Sequence, residues 1–166
     1  MTMTMVNNVV EVGEGDLSIG VWAKGATMYL VNNVVDGGAG VDSFGIYGDF
    51  PENDLTLVHN NLFGAEQNCL VYLYAPPDNL CLDELTEVNS CSWAGCAAAF
   101  GNISGDPLFV SPGVGDYHIQ FTSPNRNAGF DPIPAYVGFD LAGVDIDGDV
   151  RPYGDAWDIG IDEWTP

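Results

Sequence analysis

Residues 2–10 read TMTMVNNVV, and residues 27–35 read TMYLVNNVV. The five letters VNNVV return after 25 residues, and HNNLF at 59–63 is a third, altered copy. The Asn-Asn pairs start at 7, 32 and 60, so the spacings are 25 and 28. A period in this range marks a repeat architecture. Each pair follows a strand-like run, TMTMV, TMYLV or LTLVH, and precedes a short apolar step and a Gly-containing turn. A second strand-like run then follows, LSIGVW at 17–22, SFGIY at 43–47 and CLVYLY at 69–74. Gly20-Val21-Trp22 and Gly45-Ile46-Tyr47 again differ by 25, so two strand signals recur in phase.

A unit of short strands cannot bury its own apolar face, and stacking does so when each strand pairs in parallel with its equivalent, roughly 4.8 Å away. The pattern predicts an all-β chain, a right-handed parallel β-helix (solenoid) of three to four coils. Residues 1–110 would form the coils, with a loop insertion over 75–95. Residues 111–166 would form an irregular C-terminal cap. Asparagine tolerates left-handed backbone geometry at a corner, and its amide both donates and accepts. Stacked asparagines can therefore bond in a ladder, and pair alignment selects Asn8, Asn33 and Asn61 as the inward rungs. Asn102 stands where a fourth, imperfect corner would fall.

The chain carries 24 acids against three bases, Lys24, Arg126 and Arg151, for a net charge of −21. Such a surface repels nucleic acid, anionic membranes and anionic polysaccharides, and it favours divalent cations. Nine of the acids lie after residue 130. No run of 18 apolar residues is present, which excludes a helical membrane span. Met1–Val10 lacks the features of a signal peptide, so the chain is either cytosolic or a piece of a longer secreted protein.

Four cysteines stand at 69, 81, 91 and 96 without a CxxC, which disfavours zinc and favours two disulfides in an oxidising compartment. Three pairings are open. Cys69–Cys81 with Cys91–Cys96 closes the shortest loops.

DIDGD at 145–149 supports two readings. Asp145, Asp147 and Asp149 alternate around a glycine and could converge on Ca²⁺, with Asp155, Asp158 and Asp162 completing an oxygen shell. Alternatively Asp147-Gly148 is a turn, and Arg151 pairs with Asp158 or Asp162 to fasten the cap. His59 and His118 read as outward strand residues. Trp22, Tyr47, Tyr72 and Tyr74 lie in equivalent strands, opposite Val21, Ile46 and either Val71 or Leu73. If the β-branched set is the core, the aromatics form an outward stripe suited to stacking on sugar rings.

The last third resembles a known family. Asp106-Pro107-Leu108-Phe109, Gly115-Asp116-Tyr117-His118-Ile119, Ser123-Pro124 with Asn127-Ala128-Gly129, Asp145-Ile146-Asp147-Gly148 with Arg151-Pro152, and Asp158-Ile159-Gly160-Ile161-Asp162-Glu163 occur in order. In these the chain resembles the C-terminal part of right-handed β-helix repeat proteins of the choice-of-anchor type, found in bacterial surface and secreted proteins. Asn127 stands where that pattern has an acid. The resemblance implies surface display, a tail covering the open end of the β-helix, and no defined activity.

Together these readings predict a non-enzymatic structural or adhesive module at the cell surface or outside the cell, binding calcium and a polysaccharide or surface partner. A carbohydrate-active enzyme is the competing class. Lyases need bases that this chain lacks. Hydrolases need facing carboxylates, and Glu11 and Asp36 occupy equivalent corners that could supply a pair. A third class is a homo-oligomer assembled through the uncapped first coil.

Overall fold

A computed structural model describes residues 1–49, 54–64, 69–131 and 143–166. Residues 132–142 of the tail assigned above to the cap lie outside these residues. The fold is mostly β, and its parallel ladders follow the repeat.

The first ladder joins β1 (Thr2–Val6), β4 (Thr27–Val31), β7 (Asp54–Val58) and β11 (Cys96–Phe100). The second joins the short strands β2 (Val9–Val10), β5 (Val34–Asp36) and β8 (Asn61–Phe63). The third joins β3 (Leu17–Lys24), β6 (Asp42–Asp49) and β9 (Cys69–Tyr74) in parallel, with β10 (Leu80–Leu82) antiparallel at its edge. Side chains alternate across each strand. Met28 and Leu30, Leu55 and Leu57, and Ala99 turn inward from the first ladder, and Val21, Ile46, Val71 and Leu73 from the third. Two glycines permit the close approach of β3, β6 and β9. A Cβ on Gly20 would lie 2.6 Å from the Gly45 carbonyl oxygen, and one on Gly45 2.7 Å from that of Leu70.

The asparagine ladder exists, with one rung reassigned. Asn8 Nδ2 donates to Asn33 Oδ1 at 3.0 Å, and Asn33 Nδ2 to Asn60 Oδ1 at 3.1 Å. Asn60 Nδ2 donates to Asn102 Oδ1 at 3.0 Å, and Asn102 Nδ2 to Asn89 Oδ1 at 2.8 Å. Each accepting oxygen also takes a backbone N–H, and the second amide hydrogen of each inner rung goes to a strand carbonyl. The third rung is thus Asn60, not Asn61. Backbone register explains the shift: Asn32 is equivalent to His59, since both adopt the left-handed conformation (φ 55° and 51°), and Val34 pairs with Asn61. His59 is therefore a corner residue, not an outward strand residue, and its ring stacks on Phe130 with centroids 5.6 Å apart.

Both disulfides follow the shortest-loop pairing, Cys69–Cys81 and Cys91–Cys96. They bracket the 75–95 excursion, which contains α1 (Leu85–Ser90). Val88 and Trp93 from this excursion, with Leu82, join the core beside β7, β9 and β11. The excursion thus covers the last repeat.

The tail takes a different place from the one expected for an end cap. Its hairpin, β12 (Phe109–Ser111) and β13 (Asp116–Ile119), and the described residues 120–131 after it run along the asparagine corner. Asn32 exchanges two bonds with the backbone of Phe130 (2.6 and 2.8 Å). Asn61 donates to Asn125 Oδ1 at 2.6 Å and exchanges bonds with Gly105. His59 Nδ1 meets the Ala128 carbonyl at 2.7 Å, and Tyr117 donates its hydroxyl proton to Glu11. The tail therefore touches the first, second and third repeats.

Candidate functional site

The outer face of the third ladder carries the aromatic stripe. Register pairs Trp22 with Tyr47 and Tyr47 with Tyr72, while Val21, Ile46 and Val71 pair on the opposite, buried face. Alternation made one set the core, and the β-branched set is that core. Trp22 is 62% exposed and Tyr74 is 44% exposed. Trp22 and Tyr47 meet edge to face at 6.0 Å, and Tyr47 and Tyr72 lie 5.1 Å apart with planes tilted by 32°.

Phe44 was not among the expected stripe residues, yet it packs against Tyr72 at 4.9 Å and Tyr47 at 5.6 Å. SFGIY spaces it three residues before Tyr47, out of phase with simple alternation, so period-2 reading misses it. With Asp42, Tyr74 and the Cys69–Cys81 bridge, these rings line a shallow depression of about 490 Å³. Burial first, and then the neighbouring Tyr72, push the Tyr47 hydroxyl above its ordinary pKa, so it remains a neutral donor. Lys24 pairs with Asp49 at 3.3 Å at the rim of the same face.

The six tail carboxylates expected to share a cation are distributed differently. Asp145 Oδ1 accepts the backbone N–H groups of Asp147 (2.9 Å) and Asp149 (2.8 Å), and its Oδ2 accepts that of Glu163 (2.9 Å). Asp158 accepts the N–H of Asn127 with one oxygen and of Trp164 with the other. Asp162 Oδ2 accepts the N–H of Ile119 at 2.8 Å, and Asp149 Oδ2 accepts the Thr165 hydroxyl at 3.2 Å. Asp155 enters through its own N–H, which donates to Asn127 Oδ1 at 2.8 Å. That oxygen also takes the N–H of Ala156, an acceptor role for which a carboxylate would serve equally, so the asparagine departure at 127 is neutral in this bond.

Arg151 does not pair as expected. Its side chain is buried, donates to the carbonyls of Asp158 and Gly160, and lies 3.9 Å from a carboxylate oxygen of Glu163. Sequence reading selected Asp158 or Asp162 and missed Glu163, because spacing in an irregular tail does not say which of several neighbouring acids faces Arg151. Burial lowers the Arg151 pKa and raises those of Asp158, Asp162 and Glu163.

Among the described residues, one group of metal-ligand type closes to within 4.8 Å, namely His118, Asp147 and Asp162. Its imidazole is already held from both sides, by Asp116 at Nδ1 (2.6 Å) and Asp147 at Nε2 (2.5 Å). Those two hydrogen bonds raise the His118 pKa to about 9, so the ring is an imidazolium at neutral pH. An imidazolium and a carboxylate whose oxygen holds a backbone N–H form a poor calcium shell, which requires six to eight oxygens.

No family model, curated protein or solved structure matches this chain. The two disulfides point to a non-cytoplasmic setting. Among the described residues no helix is long and apolar enough to cross a membrane.

Proposed function

We propose that the chain is a right-handed parallel β-helix module of a secreted or cell-surface protein, similar to the choice-of-anchor repeat proteins, whose aromatic stripe binds a neutral polysaccharide. Three parallel ladders that each take one strand per repeat support the β-helix reading. The observation that carries the function is the outward ladder Trp22–Tyr47–Tyr72, whose two tyrosines line a shallow depression. Exposed, contiguous aromatic surface on a soluble fold marks a binding face. Rings in successive strands offer flat apolar contact for successive sugars, and tyrosine hydroxyls offer hydrogen bonds. A net charge of −21 selects against anionic chains such as polyuronates.

The test is affinity electrophoresis and calorimetry with neutral β-glucan, xylan and mannan, with alginate as the anionic control. Trp22→Ala and Tyr47→Ala are expected to weaken binding at least about tenfold, consistent with aromatic anchors dominating an interface. The melting temperature of Trp22→Ala should stay unchanged, because that side chain is mostly solvent-exposed. Binding of either variant at the wild-type level would sink the proposal.

The acidic tail enters this reading as a clasp in which Asp145, Asp158 and Asp162 accept backbone N–H groups.

A further inference from the structure

We infer that the groove between the second ladder and the 106–112 segment docks an arginine side chain presented by a partner protein. The groove lies on a different ladder from the aromatic stripe, so the inference is independent of the carbohydrate reading. Beyond the paired residues Val10 and Val35 the chain carries Glu11, just past β2, and Asp36, the last residue of β5, which pairs with Phe63. Asp106 lines the same cavity. The cavity measures about 300 Å³, and its apolar sides include Val9, Phe63, Leu108 and Phe109. It opens into a second hollow of about 740 Å³ that shares Asp36, Phe63 and Asp106.

Each carboxylate is oriented by one bond and keeps a second oxygen for a ligand. Asp36 accepts from the Gly38 N–H at 2.7 Å, Asp106 from the Leu108 N–H at 2.8 Å, and Glu11 from the Tyr117 hydroxyl. No base lines the cavity. The three bases of the chain are placed elsewhere: Lys24 against Asp49, Arg126 between the rings of Phe121 and Trp164, and Arg151 buried in the tail. The negative charge of the groove therefore has no internal cation, and a ligand must bring one. Burial raises the Asp36 pKa, and the Glu11 charge adds to the rise. A bound cation would reverse that effect.

Geometry separates the kinds of cation. A bare metal ion needs ligand atoms drawn together, and among the described residues only the His118 group closes to 4.8 Å. Carboxylates spread along an apolar wall suit a cation carried on a hydrocarbon stem. Half-buried phenylalanine rings favour guanidinium over ammonium, because it is planar, weakly hydrated, stacks on aromatic faces and bonds carboxylates through a fork. A cavity of this volume is at the small end of ligand sites and fits one side chain.

The test is an amide-resolved NMR titration with acetyl-Gly-Arg-Gly-amide, with the citrulline peptide as a neutral isostere and the lysine peptide for comparison. Shifts should concentrate at Glu11, Asp36, Gly38, Phe63 and Leu108. The citrulline peptide should give none, and the lysine peptide should bind more weakly. Glu11→Gln and Asp36→Asn keep the acceptors for Tyr117 and Gly38, and each should lose at least about tenfold in affinity, whereas Asp78→Asn and Asp83→Asn should not. The Asp36 carboxyl titration should move to lower pH with the arginine peptide present. Equal shifts from citrulline, shifts spread evenly over the acidic surface, equal binding of the lysine peptide, or an unaltered Asp36→Asn would each overturn the assignment.

Discussion

Asn60 and Asn61 are adjacent, similar in sequence context and different in duty. Asn60 is a rung: its Oδ1 accepts from the backbone N–H and the amide of Asn33, and its own amide donates to Leu30 and Asn102. Asn61 faces the tail, where it bonds Asn125 and Gly105. Removing a side chain that satisfies several buried groups costs the desolvation of the orphans, about 1–3 kcal/mol for each group. Asn60→Ala is therefore expected to lower global stability by about 3 kcal/mol in urea unfolding. Asn61→Ala should lower it less and should raise hydrogen exchange chiefly in residues 105 and 125–130. The two variants behaving alike would refute the separate roles. The ladder was legible in the sequence because stacked amides demand the same residue at each level. Its phase was not, because His59 takes the corner position that Asn7 and Asn32 hold, and the following Asn60-Asn61 imitates the earlier pairs.

At the scale of elements, β13 is clasped to the 145–149 turn by His118, whose ring lies between Asp116 and Asp147. Its pKa rises from 6.5 to about 9 on folding. A raised pKa means that the folded state holds the proton more tightly. The stabilisation is complete below about pH 6.5, the free imidazole value, and is lost as pH climbs through about 9. Tail opening, followed by exchange of the Ile119 amide or by limited proteolysis, should therefore increase between these limits. His118→Gln should flatten that dependence, and salt should weaken it, since the side chain is 45% exposed. A wild-type profile flat across this range would contradict the clasp. Strand elements were legible from alternation. The cover of the last repeat was not, because a cysteine-bracketed excursion has no period that declares what it packs against.

For the whole molecule, the net charge of −21 combines two populations of acids. Some are solvated turn residues. Others, including Asp145, Asp158, Asp162 and Glu163, are internal acceptors for backbone N–H groups. A ligand that binds only the folded state raises its stability by mass action. Because Asp145, Asp158 and Asp162 are already engaged by backbone N–H groups, millimolar Ca²⁺ is expected to raise the melting temperature no more than Mg²⁺ at equal concentration, relative to EDTA. A calcium-specific rise of several degrees would show that the clasp opens to admit the ion, contrary to this arrangement.

The sequence by itself determined the repeat and the strands, because each follows from local spacing and from the alternation of side chains along a strand; it left open which of three cysteine pairings forms and which strand face turns inward. Only the tertiary structure decided that Asn60 is the third rung, that the excursion covers the last repeat, that the tail lies along the asparagine corner, and that Arg151 faces Glu163. These depend on register and on contacts between residues far apart in the chain. One residue of offset at a corner changes which side chain faces which neighbour, and composition carries no record of that offset.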